Sequence, residues 1–427
     1  MRSLVTFGLL LAALSASAQD AEGPLQDDLR PRRAAIAANP PRAQGVIPHG
    51  IVGENPYVEY AGYGEGDCCG PGCCEPFFGG YWANFEMLMW WRPGMSMPPL
   101  VTSNPLGTAA GDSGFLPGAT VLYGDEVIGG RMRIGGRVEA GLWFDRCQTN
   151  GIGFRFASIG REVNEFSLNS NDNPIIARPF FDVSDAGGNQ IVGPNALLVA
   201  HPTGGPNGEL TTGDIFVRST SEVYSTDVLW RHAMTRDACG SFEWTFGYQT
   251  TRINESVLIR SNTQLNGTIT IQDQFSTRNQ FDGGSLGFMM NRDWGTWTFD
   301  GAVKIAIGNT HEQVQIAGQR TPVPAQGANL GLLALTSNIG NYTQNDFTVV
   351  PEVNLRLGCR VAQWTKITVG YSLIYWSTVA RPNDQIDTTI NPTQIGGNLV
   401  GDARPRFNFN TSDFWVQGLN LGLQWDF

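Results

Sequence analysis

The last nine residues of the chain constrain its fold more than any other stretch. Every second position is apolar, and the positions between them are polar or glycine. A period of two predicts a β-strand with one apolar and one polar face. The apolar positions are Leu419, Leu421, Leu423, Trp425 and Phe427. An edge strand of a soluble β-sandwich would show the same local pattern, so the rest of the chain must distinguish the two folds.

The same alternation recurs from Tyr81 onward. Tyr81 and Trp91 lie on one face of the first such segment, ten residues apart. On a tilted strand this spacing is a rise of about 25 Å, the height of the lipid-facing band of a membrane barrel. Charged residues make up 16% of the chain, against roughly 25% in globular domains. These features predict an all-β chain that folds as a transmembrane antiparallel β-barrel of the outer-membrane type.

Short and long connections alternate between the predicted strands. Short turns are predicted near Arg146–Asn150, Thr235–Gly240, Arg292–Gly295 and Ala362–Thr365. Long connections are predicted at Arg92–Asp125, Asn169–Asp214, Thr310–Asn345 and Thr378–Ser412. Outer-membrane barrels have short periplasmic turns and long outer loops. The pattern predicts about ten strands, or 12 if the region Asn254–Phe281 holds a further hairpin. Pro351 cannot donate to a ladder, so we expect a bulge or a strand end there.

The N-terminal region predicts export. Residues 1–18 combine Arg2, an apolar run over Leu4–Leu14 and a small-residue cleavage site, which is the pattern of a signal peptide. The apolar run is shorter than the roughly 20 residues of a spanning helix. Residues 19–78 are rich in Pro, Ala, Arg and Gly and are expected to be a periplasmic linker, which leaves 79–427 for the barrel. We therefore expect location in a bacterial outer membrane, with outer-membrane lipids as partners. The C-terminal strand resembles the assembly signal of outer-membrane barrels, which implies the barrel-assembly machinery as a second partner.

Charged residues on the polar faces of the strands would point into the lumen of such a barrel. They are Glu86, Arg137, Glu139, Arg155, Glu243, Asp300, Lys304, Glu352 and Arg356. They would form either a water-filled channel or a closed interior held by salt bridges. Open aqueous pores belong mainly to barrels of 16–18 strands, so about ten strands predict a narrow lumen. The prediction is a narrow porin-like channel for small ions or solutes, and the alternative is a closed structural or surface-interaction barrel.

Neither catalysis nor nucleic-acid binding is predicted. The histidines His49, His201, His232 and His311 are expected to be solvated, and no nucleophile motif accompanies them. Asp300 or Asp346 beside His311 is the one arrangement that could support hydrolysis. No cofactor is expected. The formal net charge of −11 argues against nucleic acid as a partner.

Seven cysteines are predicted to gather at the periplasmic rim. Four lie in the linker and three near short turns: Cys68, Cys69, Cys73, Cys74, Cys147, Cys239 and Cys359. Disulfides persist in exported proteins, so linker cysteines could be joined to rim cysteines, with one left over because the total is odd. The alternatives are unpaired thiols and a zinc site, although the linker run lacks the usual C-x₂-C spacing and an adjacent His.

Several blocks in order along the chain resemble a known family. They include Trp90-Trp91, Gly308-Asn309-Thr310-His311, Ser337-Asn338-Ile339-Gly340, Val349-Val350-Pro351-Glu352-Val353, Tyr375-Trp376-Ser377 and the strand Ser412–Phe427. The chain resembles the seventh of the putative β-barrel porin families, known from planctomycete-type bacteria, over nearly the whole length after the linker. The resemblance implies a barrel in the outer membrane. It implies no catalytic or ligand-binding residues.

Overall fold

The computed structural model describes residues 80–186, 189–237, 239–322, 330–395 and 397–426. The predicted signal peptide, the linker with its four cysteines, and Phe427 lie outside these ranges. Strands dominate the described residues: β1 (Gly80–Trp91), β2 (Met95–Met97), β3 (Val101–Ser103), β4 (Thr120–Tyr123), β5 (Glu126–Ile128), β6 (Arg133–Trp143), β7 (Asn150–Asn169), β8 (Ile176–Ala186), β9 (Asn189–Ala200), β10 (Thr212–Asp237), β11 (Gly240–Gln264), β12 (Thr268–Trp294), β13 (Trp297–Thr321), β14 (Gly340–Ala362), β15 (Thr365–Ala380), β16 (Thr389–Ile390) and β17 (Thr411–Asp426). Short 3₁₀ turns span Ala110–Asp112, Asn383–Gln385 and Pro392–Gln394. No helix in the described part of the chain is long and apolar enough to cross a membrane.

Ten of these strands form a closed antiparallel barrel in the order β1-β17-β15-β14-β13-β12-β11-β10-β7-β6. The last strand closes the barrel against the first, in a register that runs from Trp82 opposite Asp426 to Trp91 opposite Gln417. The prediction of ten strands is confirmed, and the alternative of 12 is wrong. The region Asn254–Phe281 belongs to β11 and β12, which are 25 and 27 residues long.

All four predicted short turns lie at one end of the barrel, here called the turn end, beside both ends of the described chain. The opposite, loop end carries the predicted long connections. One connection there departs from the expected pattern, because only residues 265–267 join β11 to β12. The long connections also fold: β16, β8, β3 and β4 form a small sheet with β9 at its side, and β2 pairs with β5.

Pro351 lies within β14 and marks the end of one of its two ladders. It stands opposite Ile305 of β13 in an unbroken register. On the other side, pairing with β15 begins only at Glu352, opposite Ile374. Since proline lacks an N–H, this ladder stops where its donor would be missing. The strand itself continues, without the bulge that was one of the two expectations.

The outer surface of the barrel changes character partway along the strands. A row of paired residues marks the boundary: Val228, Tyr248, Gly284, Ile307 and Val349. We call the part between this row and the turn end the turn half, and the rest the loop half. Outward side chains of the turn half are apolar and exposed, among them Phe85, Phe154, Phe246, Val303, Leu357, Val369 and Leu421.

The loop half has the opposite arrangement. On β11 the outward side chains beyond the boundary include Arg252, Asn254 and Arg260, whereas Val257 and Ile259 point inward and are fully buried. Residues of the long connections, such as Leu333 and Met95, pack on this inward apolar surface. The loop half is therefore built like a soluble domain, with its core inside the wall.

Candidate functional site: the interior of the barrel

At the turn end the interior contains a polar cavity of about 270 Å³, here called the vestibule. The rings of Trp82 and Trp143 form part of its lining, and the guanidinium of Arg231 lies 4.6 Å and 4.8 Å from their centroids. Glu243 receives Arg231 at 2.8 Å and Arg236 at 2.9 Å. The vestibule can hold water or a small polar solute, and its buried carboxylate is neutralised by two arginines.

The first ion pairs beyond the vestibule centre on Glu86 of β1. This carboxylate is fully buried and accepts hydrogen bonds from Arg137 of β6 and, at 3.0 Å, from Arg356 of β14. Arg137 also donates to the side chain of Asn354 at 2.8 Å. β14 is three strands from β1 around the barrel, so these contacts cross the lumen and do not merely follow the wall.

A second network joins opposite walls. Arg155 of β7 pairs with Glu352 of β14 through its Nη1, and its Nη2 lies 2.7 Å from that carboxylate. These two strands are five positions apart in the ring of ten, which places them diametrically opposite each other. Lys304 pairs with Glu352 at 2.9 Å and with Asp227 at 2.6 Å, and Arg155 also reaches Asp227 at 2.9 Å. Two cations and two anions thus fill the middle of the lumen.

The structure places the nine charged residues selected from the sequence inside the barrel. It brings together Glu86, Arg137 and Arg356 in one group and Arg155, Lys304 and Glu352 in the other. Glu139 and Asp300 lie at the margin of the first group, each 3.9 Å from Arg356. Glu243 belongs to the vestibule. Sequence reasoning missed Asp227, although its position between the outward Val228 and Thr226 would have assigned it to the lumen.

An apolar layer follows the ion pairs. Inward side chains of nine wall strands meet there with no charged group among them: Leu88, Trp90, Ile159, Val223, Ile253, Phe281, Ala306, Val350, Ile374, Trp376, Val379, Phe414 and Val416. Trp376 and Phe414 pack edge to face at 5.8 Å. Core side chains pack at crystal-like density, and this layer crosses the interior between the ion pairs and the loop half.

Beyond the apolar layer, two arginines hold the starts of two long connections inside the barrel. Arg381, which directly follows β15, binds Glu255 of β11 at 2.9 Å and 3.0 Å. Arg92, which directly follows β1, binds Glu162 of β7 at 2.5 Å and Glu255 at 3.4 Å. Burial raises the pKa of Glu255, but Arg381 and Arg92 outweigh it, so the pKa lies below its usual value. Neither arginine was among the lumen-lining residues predicted from the sequence.

Asp273 of β12 fixes a third connection. One carboxylate oxygen accepts from the backbone N–H groups of Leu332, Leu333 and Ala334 at 2.8–2.9 Å. The other pairs with Arg178 at 2.5 Å. A carboxylate oxygen that accepts three backbone N–H groups binds residues 332–334 strongly and fixes their position. The connections are therefore attached to the inner wall and close the loop end.

Three of the four histidines, His201, His232 and His311, lie in the described part of the chain. The expectation that His201 is solvated is wrong: it is 2% exposed, and its Nδ1 accepts from the Thr203 N–H at 3.0 Å. Its Nε2 must then carry the proton, so it cannot act as a base toward the hydroxyl of Ser113, 3.2 Å away. His311 bonds to Asn345. Asp300 instead bonds to Asn291 near the turn end, so the suggested pair of Asp300 with His311 does not exist.

The cysteines of the wall occupy the turn end. Cys147 and Cys239 lie in two of the turns, and Cys359 lies near the end of β14. Cys147 is buried, Cys359 half-buried and Cys239 exposed. Their pairing with Cys68, Cys69, Cys73 or Cys74 stays a prediction, because the linker lies outside the described residues. Within the described ranges, no group of three or more His, Cys, Asp or Glu is gathered as in a metal site.

The C-terminal strand has the orientation that its alternation predicts. Leu419, Leu421 and Leu423 are outward and about two-fifths exposed. The partly exposed Trp425 stands opposite Ala83 in the closing register, and Phe427 lies outside the described residues. A role of this strand as an assembly signal stays a prediction.

Comparison with known proteins gives one sequence match and several distant structures. The outer membrane protease OmpT from Escherichia coli has a TM-score of 0.42 at 9% identity, covering 83% of this chain and 98% of that one. A Pseudomonas aeruginosa FadL homologue has a TM-score of 0.22 at 7% identity, with 82% and 90% covered. No curated protein matches the sequence.

The sequence profile of one family matches residues 82–427, which begins within β1 and includes every strand of the barrel. The match agrees with the resemblance expected from the sequence blocks. It also agrees with a closed antiparallel barrel whose last strand pairs with its first. This chain belongs to the family described as "Putative beta barrel porin-7 (BBP7)".

Proposed function

We propose that the chain is an integral outer-membrane barrel that acts as a closed anchor for the domain folded in its loop half. The observation that carries this proposal is the contact between Arg155 and Glu352, which joins diametrically opposite strands. A side-chain pair that spans the lumen obstructs it at that level, and Lys304 and Asp227 occupy the space beside the pair. The proposal favours the closed barrel over the open channel that the sequence also allowed.

Three further groups of side chains that fill the interior support the closed barrel. The apolar layer around Trp376 lies directly beyond the ion pairs. The cluster of Arg92 and Arg381 with Glu162 and Glu255 follows, and the connections packed on Val257 and Phe275 fill the loop half. Ions crossing the barrel would have to displace each of these in turn.

The placement in the membrane rests on the outward face. The apolar band of the turn half suits hydrocarbon, whereas the polar outer surface of the loop half suits water. Family membership supports an outer-membrane location. In this proposal the turn end faces the periplasm and the loop half stands above the membrane, where it can contact other molecules.

A gated narrow channel is the second candidate. The vestibule of about 270 Å³ at the turn end favours it, because a purely structural barrel has no need of a polar chamber. The description of the family as porins points the same way. Conduction would require the segment 381–410 to leave the interior, since Arg381 starts it and is bound to Glu255.

Single-channel recording in planar bilayers separates the two candidates. We expect purified native protein to insert without stepwise conductance. We also expect none from R381A, because the apolar layer remains in place. Reproducible steps from the native protein would overturn the closed-anchor proposal, and steps from R381A alone would favour the gated channel. Fractionation with outer membranes, and a mobility shift on boiling in SDS, would test the membrane placement separately.

A further inference from the structure

One buried acid, Glu312, lacks the ion-pair or hydrogen-bond partner that the other buried acids have. Seven buried carboxylates each contact an arginine or lysine: Glu86, Glu162, Asp227, Glu243, Glu255, Asp273 and Glu352. Asp182 is instead bonded by the Ser184 N–H and the Asn195 side chain. Glu312 of β13 is fully buried, and neither of its carboxylate oxygens has a hydrogen-bond partner.

The surroundings of Glu312 add negative charge and oxygen atoms. Glu312 stands opposite Gln344, and the next inward position on β14 is Asp346, opposite Thr310. The side chain of Gln344 donates to Asp346 at 2.6 Å, which leaves its amide oxygen free to turn toward a ligand. On the other side, β12 places Asn279 opposite Glu312, and the neighbouring inward Thr277 is 4% exposed with an unpartnered hydroxyl.

An isolated buried carboxylate costs several kcal/mol unless a proton or a cation neutralises it. Burial raises the pKa of Glu312 to about 7, and the neighbouring Asp346 contributes to the rise. Carboxylate, hydroxyl and amide oxygens, without nitrogen or sulfur, are the ligands that hard divalent cations prefer.

We propose that Glu312 and Asp346 hold a calcium ion, with Gln344 as a further oxygen ligand. The ion supplies the positive charge that arginine or lysine supplies at the other buried acids. The site lies beyond the boundary row, in the loop half, and the half-buried Asp346 and Gln344 give it access to solvent. With two carboxylates it is a weak site, with a dissociation constant on the order of 10⁻⁴ to 10⁻³ M.

Calcium titration of the full-length protein in detergent, after removal of metal with EGTA, tests the site. Isothermal calorimetry should detect one Ca²⁺ per chain, and Tb³⁺ should bind and be displaced by Ca²⁺. E312Q and D346N should each weaken binding about tenfold or more, because each removes one ligand charge. E165Q is the matched control: Glu165 is an exposed acid of the same half, and its loss should leave binding unchanged.

Native affinity in E312Q overturns the proposal, as does a native protein that binds no Ca²⁺ at millimolar concentration. If E312Q fails to fold, D346N and a crystal grown with Ca²⁺ decide the matter, because anomalous density must lie between the two carboxylates. These readouts do not depend on whether the lumen conducts.

Discussion

The same strands run through both halves of the barrel wall, but the polarity of their inward and outward faces is reversed between the halves. On β11, Phe242, Trp244, Phe246 and Tyr248 point outward in the turn half, while Glu243 and Thr245 point inward. A few residues further, Arg252 and Asn254 point outward while Val257 and Ile259 point inward. The register of β11 with β12 is continuous through this change. The backbone geometry is therefore constant, and only the solvent on each side of the wall differs.

The comparison explains how each half is stabilised. The turn half has an apolar exterior, so its interior must satisfy polar groups with one another through cross-lumen ion pairs. The loop half has a polar exterior, so its interior can form an ordinary apolar core, to which Leu333 and other residues of the connections contribute. The connections are thus part of the fold of the loop half.

The largest expected effect comes from breaking the ion pairs of the turn half. E352A should lower the free energy of unfolding by about 3–5 kcal/mol, because it leaves Arg155 and Lys304 buried without their carboxylate. E165A in the loop half should cost about 0–1 kcal/mol, since the Glu165–Arg218 pair is exposed. Urea unfolding followed by tryptophan fluorescence measures both, and equal effects would contradict the burial of the ion pairs that Glu352 makes across the lumen.

The outward faces should respond differently to the same charge. V303R places a charge in the apolar band of β13 and should cost about 2–4 kcal/mol in a lipid bilayer. Q313R places it on the same face of the same strand beyond the boundary row and should cost almost nothing. Folding yield into liposomes and unfolding in urea provide the measurement. If Q313R is as damaging as V303R, the band extends further than the boundary row.

On the inward faces, a polar substitution should destabilise the loop half, and an apolar substitution should be tolerated in the turn half. V257T buries a hydroxyl in the core of the loop half and should cost about 1–3 kcal/mol. T245V, on the same strand in the turn half, should be nearly neutral because it replaces a polar group by an isosteric apolar one. Both variants are compared with the native protein in one urea series. A larger loss for T245V would argue against the inverted polarity.

Per pH unit, the smallest expected effect is a pH dependence that originates in the loop half. The pKa of Glu312 is raised from 4.5 to about 7 in the folded state. The stabilisation by its proton is complete below pH 4.5 and is lost as the pH rises through 7. In calcium-free buffer the free energy of unfolding should therefore fall between these values, by at most about 1.4 kcal/mol per pH unit. E312Q should lack this component, so an identical slope in E312Q would exclude Glu312 as its source.

Strand number, turn positions and the direction of individual side chains were predictable because they depend on local alternation. Glu86 and Lys304 could be assigned to the lumen since each lies between outward apolar neighbours on its own strand. Asp227 was missed because β10 alternates weakly where its polarity reverses. Arg92 and Arg381 were missed because they lie in connections, where no period indicates a direction.

By itself, the sequence determined an antiparallel barrel of about ten strands, the family resemblance, and which charges point inward, because a period of two and a short turn are properties of neighbouring residues. The tertiary structure decided which of those charges meet one another across the lumen. Arg155 and Glu352 are 197 residues apart in the chain, and they meet only because four strands on each side separate β7 from β14 and place them on opposite walls. The unpaired state of Glu312 was decided in the same way: a missing partner becomes visible only when every element around the group is in place.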